Sequence, residues 1–224
     1  MYVNPYSTES LFDMARKTKQ ESLETRQQIL IAAGNVFSQN GVSNTSLNDI
    51  AEAAGVSRGA IYWHFKNKVE LFNELWDEVE SNIDGIEQYY FDEYIDSPIT
   101  ALRSLLIYIL QITASDSKQR TLMEILFHKC EFVGEMIGVL KSRKSLHMTG
   151  YDRIENTLAR CIECHQLPDN LNKRLSAIMM RSCISGVLEN WLASPESFDL
   201  YNEASNIVDG FLEMLKLSKH LRID

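Results

Sequence analysis

The sequence predicts an all-α chain, with a small three-helix head and a larger helical body. Three observations carry that reading. Breakers are few: 224 residues hold only 4 prolines and 10 glycines, and none gather into a linker. Apolar residues recur at helical spacing over long stretches, with no strand-like alternation or hairpin signal, and Pro98, Pro168 and Pro195 fall in the gaps. Charge is also divided unevenly. The whole chain carries a net −9, yet residues 14–68 hold seven basic and four acidic side chains. A basic first quarter on an acidic body is the asymmetry of a nucleic-acid-binding head on a larger regulatory domain.

Hydrophobic content of 45% and charged content of 24% are ordinary for a globular protein and supply a sizeable core. Residues 1–13 lack helical period and carry Pro5. They read as a non-native or disordered extension, with Met14 the natural start and the basic residues of 14–22 an arm. The first helix is expected over 22–39, where Ile29, Ala32, Ala33, Val36 and Phe37 share a face and Asn40-Gly41 stops the helix. A second helix follows from about 46 to 53, capped by Thr45 or Ser46. Ala54-Gly55-Val56 forms a turn, and Ser57 caps a third helix that ends near 65. Lys66-Asn67-Lys68 opens a long fourth helix reaching about 90. Further helical stretches are expected near 99–114, 118–134, 136–165, 171–193 and 201–217.

Residues 46–65 carry the functional reading. Leu47, Ile50, Ala51 and Ala54 make the inner stripe of a short helix, Gly55 supplies a turn position with φ > 0, and Val56 and Ile61 plug the joint. The third helix then offers Arg58, Gly59, Tyr62 and His64 outward, with Trp63 at its edge. Arg58, near the helix N-terminus, suits guanine O6 and N7, and Gly59 lets the backbone approach a groove. Ser57 and the free amides of that N-terminus suit a phosphate or a base edge. Tyr62, His64, Thr45, Ser46 and Lys68 are placed for phosphates. The bland alternative is a helical hairpin buried against the body, which has no use for Arg, Tyr, Trp and His outward together.

The glycine turn followed by Ile61-Tyr62-Trp63-His64-Phe65-Lys66-Asn67-Lys68 resembles the signature of TetR-family repressors, and the resemblance spans residues 23–83. Residues 14–22 and 122–132 extend it, resembling the members of that family that repress multidrug efflux pumps. The resemblance implies a homodimer on a palindromic double-stranded operator, released by cationic or amphipathic small molecules. The implied domains are the head at 23–83 and a ligand-binding and dimerisation body at 84–224.

For the implied effector pocket the candidates are Trp76, Glu80 and Ile83 on the fourth helix and Met123, Phe127 and Cys130 on a later one. Glu80 is the preferred counter-charge for a cation and Glu131 the second choice. The alternative for each is a plain core or solvated role. The last two helices are expected to pair across a two-fold axis through Leu175, Ile178, Met179, Ser182, Gly186 and Val187 on one and Val208, Phe211, Leu212 and Leu215 on the other. Burial inside one subunit is the alternative. Coupling is expected along the fourth helix, from Lys68 past Trp76 and Glu80.

Other classes find no support in the residues. No apolar stretch near 18 residues and no signal peptide is apparent, so no membrane partner is expected and Cys130, Cys161, Cys164 and Cys183 are read as cytoplasmic thiols. Cys161-Ile-Glu-Cys164-His165 matches the haem-attachment spacing but lacks an export signal and a second ligand pair, and is read as coincidence. No nucleophile elbow, P-loop or dinucleotide fingerprint appears, so neither an enzyme nor a cofactor or metal is expected. The remaining rival is a helix-turn-helix accessory protein whose body binds a protein partner.

Overall fold

Between Pro5 and Gly34 the chain holds no proline or glycine, so nothing interrupts a helix there. In the computed structural model, which describes residues 8–131 and 134–223, α1 accordingly runs Thr8–Asn40. The helix expected over 22–39 therefore begins well before that span, and the basic 14–22 stretch continues it rather than hanging as a loose arm. Residues 1–7 of the expected extension lie outside the described residues. Gly41 ends the helix at φ 79°, a conformation that costs other residues strain.

Two short helices follow, α2 (Leu47–Ala53) and α3 (Arg58–His64), then the long α4 (Lys68–Glu93). Ile29, Phe37, Val42, Ile50, Ile61, Phe65, Leu71 and Phe72 are all fully buried and make one core for the head. Phe37 and Phe72 meet edge to face at 6.5 Å, so the start of α4 belongs to that core. Burying each such ring contributes on the order of 2–3 kcal/mol.

The body is built around α5 (Pro98–Ser115), which packs on α4, α6 (Ser117–Glu124), α7 (Ile137–Glu163), α8 (Lys173–Ala193) and α9 (Leu200–Leu217). Its 18 residues have a mean hydropathy of 1.3, long and apolar enough by length and composition to cross a membrane. That corrects the expectation of no such stretch. The apolarity is explained by position, since α5 is surrounded by five other helices.

Two further expectations change. The single helix expected over 118–134 is α6 followed by a π-helical turn, Ile125–Lys129. The Lys129 carbonyl leaves that turn to accept from the Val42 amide at 2.9 Å, which pins the body to the α1–α2 loop. On α9, Val208, Phe211, Leu212 and Leu215 are buried within the chain, against α5 and its neighbours. These four are core residues within the chain, where a dimer surface was expected. An ion pair from Arg103 on α5 to Asp209 on α9, at 2.5 and 2.7 Å, seals the same joint from outside. At the end of the chain, Leu221 is buried and Ile223 donates to the Asn170 carbonyl, tying the C-terminus to the α7–α8 loop.

Candidate nucleic-acid interface

Short helices need their ends held, and both short helices of the head are capped. Ser46 accepts from the Asp49 amide at 3.2 Å while its own amide donates to the Asp49 carboxylate at 2.8 Å, a reciprocal capping box for α2. The Ser46 amide and hydroxyl both donate to the Asp49 carboxylate, each at 2.8 Å, and hold that carboxyl below its ordinary range. Gly55 makes the turn at φ 65°. Ser57 caps α3 by accepting from the Ala60 amide at 3.1 Å.

α3 divides cleanly. Ile61 and the following Phe65 point into the head core, while Arg58, Gly59, Tyr62 and Trp63 are exposed. Trp63 is 72% exposed and Tyr62 46%, values that are hard to justify on a purely structural helix. The Arg58 guanidinium lies 5.8 Å from the Tyr62 ring centre. Trp63, expected at the edge, is the more open of the two aromatics and meets His64 edge to face at 4.6 Å. His64 is half-buried. Burial, aided by the positive charge of Arg26, holds its imidazole below the usual histidine value. Both effects disfavour the charged imidazolium.

Two expected phosphate contacts are corrected. Thr45 is 3% exposed, and its hydroxyl donates to the Gly41 carbonyl at 2.8 Å. With Ser46 serving as the cap, Thr45 is free to satisfy a carbonyl at the end of α1 that has no intrahelical partner. Lys68 is half-buried, and its ammonium donates to the carbonyls of Val42 at 2.7 Å and Ser43 at 3.2 Å. It braces the α1–α2 loop from the start of α4. Ser46, Ser57, Arg58, Gly59, Tyr62 and Trp63 remain on the outer face, and the exposed Lys66 and Asn67 stand beside them.

In the body, Trp76, Ile83, Phe127 and Cys130 are half-buried and packed on the core, Met123 is buried, and Glu80 is half-buried on α4. Glu131 is exposed, and its carbonyl faces the Ser43 hydroxyl at 3.5 Å on the head side. It is therefore not an interior counter-charge, because it lies two residues past the end of the π-helical turn, exposed on the head side. A groove of about 460 Å³ opens between α4, α5 and α6, lined by Ile83, Ile86, Tyr108, Ile112 and Leu122 among others, with Glu78 and Lys118 paired at its wall. Of the seven expected lining residues, Ile83 borders this groove. Cys161 is a buried core residue whose thiol burial pushes up to about 12, while Cys164 and His165 are exposed beyond it, so the three do not converge.

Residues 29–75 match the model of the tetR family of bacterial regulatory proteins, and residues 97–217 match the C-terminal region of MAATS-type transcriptional repressors. The chain belongs to the TetR family. Its relatives agree with both halves of that match. The HTH-type transcriptional regulator AcrR of Shigella flexneri is 54% identical over 209 residues, which are 93% of this chain and 97% of AcrR. NalD, the secondary repressor of the MexAB-OprM multidrug efflux pump in Pseudomonas aeruginosa, superposes with a TM-score of 0.78 at 31% identity, covering 89% of this chain and 99% of NalD. SmeT of Stenotrophomonas maltophilia, in its complex with triclosan, gives a TM-score of 0.76 at 28% identity, covering 88% of this chain and 93% of SmeT.

As a TetR-family member the chain is a DNA-binding transcriptional regulator, and the reading as an accessory protein loses its support. Sequence reasoning missed the internal bracing of the TetR-type head. Gln28 on α1 donates to the Ala54 carbonyl at 2.7 Å and steadies the end of α2. In the sequence Arg26 stands only as one of the seven basic residues of 14–68. The available signal was spacing, since Arg26 falls on the stripe of Ile29, Ala33 and Phe37, the inward face of α1.

Proposed function

We propose that this TetR-family protein is a homodimeric cytoplasmic repressor of a multidrug efflux operon, released from a palindromic operator by a cationic or amphipathic small molecule. One observation carries the reading. The outer face of α3 exposes Arg58, Gly59, Tyr62 and Trp63 on a head whose apolar side is spent on its own core, in a chain 54% identical to AcrR. Arg58 reads a base edge in the major groove, and Gly59 permits close approach. Ser57 and the amides of α3, with Ser46 at the start of α2, hold backbone phosphates. Tyr62, Trp63 and His64 add hydrogen bonds and contact. No catalytic step and no cofactor enter this scheme.

The two-fold contact is assigned to the outer side of α8. That helix is buried on one side by Ser176, Ala177 and Met180, yet its outward side also carries Leu175 and Ile178, 37% and 39% exposed. A helix apolar on both sides calls for a partner on both. The exposed Ser182 lies on the same side, and the half-buried Met179, Gly186 and Val187 are assigned to the edge of this contact, with small residues permitting close approach. The inducer is assigned to the groove between α4, α5 and α6 that Ile83 borders, and Trp76, Glu80, Met123, Phe127 and Cys130 are assigned as the walls it would open toward. SmeT, alike in fold, holds triclosan. An inducer that favours the wrong separation of the two recognition helices lowers operator affinity by its differential affinity for that state.

Footprinting the purified chain on the DNA upstream of its own coding region tests the proposal. The expected result is a protected palindrome whose half-sites lie about one helical turn or a small multiple apart, with protection lost on titration with triclosan or a cationic dye. Uniform protection without a palindrome refutes the repressor reading.

A further inference from the structure

Arg26 meets three residues at one point of the head. Its Nη1 donates to the carbonyl oxygen of His64, the last residue of α3, at 2.8 Å. Its Nε donates to Glu74 Oε1 at 2.8 Å, and its Nη2 to the other carboxylate oxygen. Its guanidinium lies 4.3 Å above the Phe65 ring. Both side chains are about one-third exposed, 30% and 31%. One arginine on α1 thus joins the end of the recognition helix to α4, two residues before Trp76.

We propose that Arg26, with Glu74, is a positioning residue for operator recognition: the pair sets the direction of α3 against α4 without touching DNA. α3 has only seven residues, too few to hold its own geometry. Its N-terminal end is fixed by the Ser57 cap. Its C-terminal end presents carbonyls without intrahelical partners, and Arg26 takes one of them. The fork to Glu74 is directional, so a lysine carries the charge without the geometry. The Glu74 carboxylate also cancels the arginine charge, which leaves little for a phosphate. Because Glu74 rides on α4, any displacement of α4 reaches the end of α3 through this bond. The inference rests on the DNA-binding reading given above.

Charge and geometry predict opposite signs for one variant. If Arg26 acts only through its charge, Glu74→Gln removes an anion from a DNA-binding head and tightens binding to every duplex. If the pair positions α3, the same change weakens binding to the specific site. The experiment titrates wild type, E74Q, R26K and the double variant against the duplex that the wild type selects best from a random pool. An unrelated duplex of equal length is the control, and thermal melting checks folding. E74Q and R26K are each expected to bind the selected duplex about five- to tenfold more weakly and the unrelated one within about twofold of wild type. The salt slope stays unchanged, and the double variant is no weaker than the weaker single. Equal or tighter binding of the selected duplex by E74Q overturns the inference, as does a reduced salt slope in R26K. If R26K melts early, E74Q alone decides, being nearly the same shape as wild type. Should the wild type select no duplex at all, the DNA-binding reading itself falls, and the inference with it.

Discussion

Replacing Lys68 by methionine separates two roles open to a lysine near a nucleic-acid surface. In one, its ammonium meets a phosphate. In the other, the ammonium holds the α1–α2 loop through the carbonyls of Val42 and Ser43, at 2.7 and 3.2 Å. Methionine keeps the length of the stem and removes only the donor. Hydrogen bonds from a charged donor are worth roughly 1.5–3 kcal/mol each, but the site is half-open and water replaces part of the loss, so about 1–2 kcal/mol is expected. For a chain of this length that is a fall in Tm of roughly 2–8 °C. Calorimetry measures this term, and operator titrations from low to moderate salt measure the other. A phosphate contact contributes about −0.9 to the slope of log K against log salt. The bracing role predicts a lower Tm with an unchanged slope. An unchanged Tm with a slope shallower by about one refutes the structural reasoning and returns Lys68 to the interface.

Arg58→Ala is expected to weaken binding to the operator by about 1–3 kcal/mol, roughly 5- to 150-fold, while leaving unrelated duplexes nearly unaffected by gel shift. Ile178→Arg puts a charge on the outward side of α8, and sedimentation is expected to show half the wild-type mass with a far-UV spectrum that keeps its helical form. A dimer that persists at equal concentration places the two-fold contact elsewhere. Asp49 has its folded pKa below the unfolded value, so the α2 cap contributes fully above the ordinary carboxylate range and is lost as pH falls through the depressed folded value. Asp49→Asn therefore removes this part of the acid sensitivity, seen as a smaller drop in Tm from neutral pH to pH values below the carboxylate range.

Much of the head was legible because its signals are local. A serine three residues before an aspartate marks the α2 cap, a glycine marks the turn, and the inward stripe of α3 leaves few residues to face out. Helix starts and stops in the body were legible within a few residues for the same reason, except over 118–134, where α6 ends at Glu124 and gives way to a π-helical turn. What escaped were long-range partners. A sequence shows that Lys68 is basic but not that two carbonyls 25 and 26 residues earlier lack donors. It shows that Val208, Phe211, Leu212 and Leu215 form a stripe, but not whether α5 or a second subunit covers it. The length of α1 was underestimated because apolar period was weighted above the simple absence of breakers.

The bracing changes how regulation has to be understood. Expectation placed the whole coupling on α4, as a lever running from the head past Trp76. A lever hinged only there leaves the far side of the head free. The head is instead held at two further points: Arg26 ties the end of α3 to Glu74, and the Val42 amide is bonded to the Lys129 carbonyl at the end of the π-helical turn. That turn also carries Phe127, packed on the core, and follows directly on α6, whose last turn holds Met123. The loop leading into α2 is therefore bonded to the segment that carries two of the proposed inducer walls. A displacement of α6 by even an ångström has to be absorbed by this loop, by the Arg26–Glu74 bond, or by a rotation of the head as one body. The buried core from Phe37 to Phe72 resists internal shear, so rotation of the whole head is the soft response. Rotation carries Arg58 and Trp63 with it, and in the proposed two-fold complex that is the motion that would break the register of two recognition helices on one operator.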